Sequence, residues 1–179
     1  MQALLSFSNV IDAISRKFGQ VADYMVLACA LISAGNAVMR YLFSMSSNAW
    51  LEIQWYMFGI MVLFGASYTL RQNGHVRVDL IYGAVSDRTR LWIDVIGICC
   101  FLLPATIYFT IVSWPFFYDS WRIGEMSQNP SGLIRWPIKL VLVLGFALLA
   151  LQGVSELIKR IAALMGVAKV DTAYEKPLQ

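Results

Sequence analysis

The sequence predicts an all-α membrane protein: four transmembrane helices, an interfacial amphipathic helix ahead of them, and both termini cytoplasmic. Three observations carry this. Apolar residues make up 59% of the 179 residues and charged residues only 14%, against about 45–50% and about 25% in soluble domains. The apolar residues gather in four runs, each near the ~20 residues that cross a ~30 Å hydrocarbon core. The Lys and Arg residues sit between the runs and are biased to one side.

Residues 4–18 come first. Leu4, Phe7, Ile11, Ile14 and Phe18 recur at helical spacing, with Asn9, Asp12, Ser15, Arg16 and Lys17 between them. That is an amphipathic helix too polar to span, expected to lie apolar face down on membrane lipid. The first span covers about 21–43. Ala28-Cys29-Ala30 has the look of a cleavage site, but the apolar run starts late and continues past it, so it reads as a span and not a signal peptide. Ala30 and Ala34, then Ser33 and Ala37, place small residues four apart, which lets helices approach closely.

The second span covers about 50–70 and opens on Trp50, Trp55 and Tyr56, residues suited to the interface. The third covers about 91–117. Pro104 near its middle should kink it, because proline removes a backbone bond and clashes with the preceding turn. The fourth covers about 136–158, with Trp136-Pro137 as a helix start. Residues 1–165 thus form one four-span domain, and 166–179 form a polar tail. Ten Lys and Arg fall on the side of the termini and the 71–90 loop, four on the other. The positive-inside rule places the first set in the cytoplasm and the 118–135 loop outside.

Several function classes are excluded. The net charge is +3, but no basic patch with interleaved aromatics exists, so nucleic acid is not a partner. Cys29, Cys99 and Cys100 lie in apolar runs and read as small buried residues. His75 is the single histidine, with no Cys or second His near it for a metal site and no nucleophile beside it. An enzyme, a resident metal and a cofactor are therefore not expected, and no charge reads as lying at the middle of a span.

The candidate contact residues sit at span ends. Glu52 follows Trp50 at the start of the second span, where it serves either as a helix-start anion or as a contact for a partner's cation. Asn36 and Arg40 lie one turn apart near the outer end of the first span. Arg40 can snorkel to headgroups and Asn36 can bond across helices. Asp94, Glu156 and Lys139 read as interfacial. Arg71, Gly74, His75, Arg77 and Asp79 form a compact corner after the second span, in which Gly74 allows a tight or left-handed turn.

Trp50 and Glu52, then Leu63-Phe64-Gly65-Ala66-Ser67, Arg71 and Gly74-His75-Val76-Arg77-Val78-Asp79, resemble the DctQ-type small membrane subunit of tripartite ATP-independent periplasmic (TRAP) transporters. The likeness runs from about 20 to 160. Gln54 stands in a stretch where members of that family often carry a second acidic residue. The resemblance implies a scaffold in the bacterial inner membrane. It would support a large multi-span subunit acting as a sodium-coupled elevator, with an organic acid delivered by a periplasmic binding protein. Trp50, Glu52, Arg40 and Asn36 would then be partner or scaffold contacts, with the 118–135 loop and Arg40 toward the binding protein. The alternatives are a self-sufficient small dimeric exporter, which would want a carboxylate deep in a span, and a four-helix redox protein, which would want paired histidines.

Overall fold

The computed structural model describes residues 1–45, 47–74 and 85–168. Four helices account for nearly all of them: α1 Gln2–Phe43, α2 Asn48–Arg71, α3 Asp87–Ile123 and α4 Trp136–Leu164. Each is long and apolar enough to cross a membrane. The described residues include no strand, and a lone bridge joins Met126 to Ile134. α4 packs against all three other helices, and α1 pairs with α2 as an antiparallel hairpin. The near end of the bundle is where α1 starts and α4 stops; the far end is the opposite one.

α1 runs without a break for 42 residues, about 63 Å at 1.5 Å per residue. No boundary separates an interfacial helix from the first span. Gly19 sits where that boundary was expected, yet it serves close packing: a Cβ there would lie 2.6 Å from Tyr68 Cγ. The residues α1 buries are Ser8, Ile11, Ser15, Gly19 and Ala22, while Leu4, Phe7, Val10 and Ile14 are exposed. Small residues and Ile11 face the protein, while the outer side carries these large apolar residues together with Asn9, Arg16 and Lys17.

α3 contains one π-helical turn, Ile98–Leu102. It lies directly before Pro104, which has no N–H to donate and whose ring crowds the carbonyl four residues back. The turn widens instead, and the Leu103 N–H bonds Ile98 O, five residues back. Cys99 and Cys100 lie on the outside of this turn and are exposed, and Cys29 is half-buried. The expectation of three buried cysteines is not met, because Cys99 and Cys100 lie on the outward side of α3.

Packing between α2 and α4 is close at Gly145, where a Cβ would meet Leu63 Cβ at 2.6 Å. Phe18 meets Phe64 edge-on at 4.7 Å, and Phe109 stacks on Phe146 at 5.0 Å. α2 ends in a Schellman turn: Asn73 N–H bonds Leu70 O at 3.1 Å and Gly74 N–H bonds Thr69 O at 3.0 Å. Asn73, at φ 57°, takes the left-handed conformation, which asparagine tolerates better than most residues. Gly74 was expected there and instead follows it. His75, Arg77 and Asp79 lie outside the described residues.

Candidate functional site

Two polar clasps close the two ends of the bundle. The far clasp centres on Glu52, 6% exposed. Ser47 caps α2, its Oγ accepting from Ala49 N–H at 3.3 Å, so the Glu52 carboxylate is free to reach the 124–135 loop. Its Oε1 accepts from Asn129 Nδ2 at 2.8 Å and from the Ser127 hydroxyl, and Oε2 accepts from Leu133 N–H at 2.7 Å. Asn48 Nδ2 donates to Pro130 O at 3.0 Å and Tyr56 OH to Ile134 O at 3.1 Å. At the loop's base, Lys139 pairs with Glu125 and lies 3.8 Å from the Phe116 ring centroid. The Lys139 ammonium holds the Glu125 carboxyl below the usual carboxylate range.

The near clasp is larger. Gln152, Ser155, Glu156, Lys159 and Arg160 share one face of α4 at helical spacing. Gln152 is fully buried. Its Oε1 accepts from Ser15 Oγ at 2.7 Å, and its Nε2 donates to Asp12 Oδ1 at 2.9 Å and to Glu156 Oε1 at 3.1 Å. Ser155 Oγ donates to Asp12 Oδ1 at 2.9 Å and lies 2.6 Å from Ser8 Oγ. Lys159 bridges Asp12, at 3.0 Å, and Glu156. Arg160 bridges Asp94, at 2.8 Å, and Glu156. Arg71 Nε stands 3.9 Å from Asp12 Oδ2. Three carboxylates thus meet three cations, drawn from all four helices.

Of the residues the sequence singled out, Glu52 meets the chain's own loop. Trp50 is 47% exposed. Arg40 is exposed, and Asn36 is half-buried with no side-chain hydrogen bond among the described residues. Arg71 joins the near clasp. Lys139, Asp94 and Glu156 were read as separate interfacial charges and are instead members of the clasps. Asp12, Ser15 and Gln152 were missed as a set. Asp23 was also passed over: it lies well inside continuous α1 and is exposed. Among the described residues, no group of three or more His, Cys, Asp or Glu could hold a metal ion. The clasps are suited to joining helices.

Residues 29–163 match the family described as "Tripartite ATP-independent periplasmic transporters, DctQ component". This chain belongs to the DctQ family. Over 91 residues it is 32% identical to the "C4-dicarboxylate TRAP transporter small permease protein DctQ" of Vibrio cholerae serotype O1. That stretch is 51% of this chain and 39% of the relative, so the chain spans about two fifths of that relative's length. No solved structure matches the chain. The DctQ match takes in Glu52, the far loop and the polar face of α4. It leaves out the first 28 residues, which supply Ser8, Asp12 and Ser15 to the near clasp.

Proposed function

We propose that this DctQ-family chain is the fixed small subunit of a TRAP-type secondary transporter in a bacterial inner membrane. It braces a large multi-span subunit, which carries out sodium-coupled, elevator-type uptake of an organic acid supplied by a periplasmic binding protein. C4-dicarboxylates are the first substrate class to test, given the name of the Vibrio cholerae relative. The near end and both termini face the cytoplasm, and the far loop faces the periplasm. The observation that carries the reading, beyond family membership, is the pair of clasps. Each links helices through ion pairs and hydrogen bonds, although the buried Arg71 Nε makes no hydrogen bond among the described residues, so the four helices behave as a single body, as a brace must.

The test is a pull-down of the tagged chain from native membranes in mild detergent, followed by reconstitution. A large multi-span protein should co-purify in about equal amount. Liposomes should accumulate labelled C4-dicarboxylate or another organic acid only when that protein and the binding protein are present with this chain. Solute movement by this chain alone would replace the brace with a self-sufficient transporter.

A further inference from the structure

The exposed side of α1 is divided into two stripes of different chemistry. One carries large apolar side chains seven residues apart, Tyr24, Leu31 and Val38, with exposures of 69, 63 and 53%. That is the composition lipid selects. The other carries Arg16, Asp23, Ala30 and Ala37, also seven residues apart and about 100° round the helix from the first, with Leu27 and Ala34 along its edge; all of these are exposed.

Asp23 decides what this second stripe meets. Among the described residues it has no ion pair and no hydrogen-bonding partner for its carboxylate. Its neighbour Ala22 packs over Gly65 in the apolar part of α2, six residues or about 9 Å along that helix from Arg71 of the near clasp. An aspartate is too short to snorkel from there, and polar groups at such depth face protein or a polar cavity and not lipid. The alanines beyond it leave the helix backbone open to close approach by another helix.

A second copy of this chain does not fit. Two copies inserted the same way and meeting along this stripe would set Asp23 against Asp23 and Arg16 against Arg16. We propose that this face of α1 docks a transmembrane helix of a different polypeptide, bearing a cationic side chain opposite Asp23 and an acceptor opposite Arg16. The proposal rests on the reading of the chain as a subunit and adds to it the surface and the chemistry of the contact.

A photo-crosslinking amino acid placed at Ala30 or at Ala37, in the full chain within native membranes, tests it, with Leu31 and Val38, each about 100° round the helix, as the comparison. Crosslinked peptides from the first pair should map to one transmembrane helix of a second protein that carries a Lys, Arg or His. The comparison positions should give about tenfold less. Asp23→Lys should lower recovery of that protein about tenfold, and reversing the partner's cation to Asp should restore it. Crosslinks from 30 and 37 to lipid alone or to a second copy overturn the proposal, as does undiminished recovery with Asp23→Lys. If the large protein co-purifies but crosslinks through another face, the docking surface falls and the brace stands. If nothing co-purifies with the wild-type chain, both fall.

Discussion

Arg160 shows what the near clasp costs and what it secures. Its side chain is 4% exposed, between Asp94 and Glu156. Removing it leaves two carboxylates without their shared cation, so Arg160→Ala should destabilise the chain by about 3–5 kcal/mol. Arg160→Met with Asp94→Asn should cost less than the two single changes together; thermal unfolding in detergent reads both. At the far end, Glu52→Gln keeps the shape but replaces one oxygen with a donor, which opposes the Leu133 N–H. Exchange of the Leu133 amide should then speed up about tenfold while α4 amides stay protected. Unchanged exchange would mean that the loop is held by Asn48 and Tyr56 without Glu52. These clasps were only partly legible in the sequence. Glu52 stood out as a carboxylate in an apolar run, whereas Asp12 and Ser15 lay on the polar side of an amphipathic pattern, and in water that side faces solvent. In this bundle Asp12 and Ser15 turn to the protein while Asn9, Arg16 and Lys17 stay exposed. The available signal was the matching stripe Gln152, Ser155, Glu156 and Lys159, polar on one face of an otherwise apolar helix.

At the scale of elements, spans were legible because length and hydropathy are one-dimensional quantities. Helix ends and joints were not, because they depend on neighbours. Gly19 looked like a place to stop, yet Tyr68 across the hairpin needs the space its missing side chain provides. Pro104 was rightly placed as an irregularity in α3. The π turn that accommodates it is a local response that composition does not announce. That turn amounts to one extra residue in an α-helix. Deleting Cys100 should therefore keep Asp94 at Arg160 and Phe109 on Phe146, at the cost of a kink where Pro104 meets the carbonyl four residues back. Deleting Ile107 from the regular part should turn everything on one side of it by about 100° and break one of those contacts. Folded yield and melting temperature of the two deletions should differ clearly. Equal loss would show that the turn has a role of its own.

For the whole molecule, the fold class came from composition and the function from a resemblance now supported by the family match. The inward and outward sides rest on where the basic residues fall. A variant with Cys29, Cys99 and Cys100 replaced by Ala and Ser131→Cys added should react with an impermeant maleimide in cells whose outer membrane is opened. The same background with Lys17→Cys should react only after lysis. The reverse pattern would invert the proposed topology and move the far loop away from any periplasmic partner. The continuity of α1 has a mechanical side as well. Its buried positions run from Ser8 to Ala22, and from there to Phe43 the helix has neither proline nor bend and no fully buried side chain. One side of that length lies along α2, with Cys29 beside Gln54, and the other side is open. Over about 42 Å of rod between Ser15 and Phe43, each degree of tilt carries the tip through roughly 0.7 Å. Whatever grips the open side of α1 therefore moves α2 with it, and strain in the near clasp is shared by both helices of the hairpin.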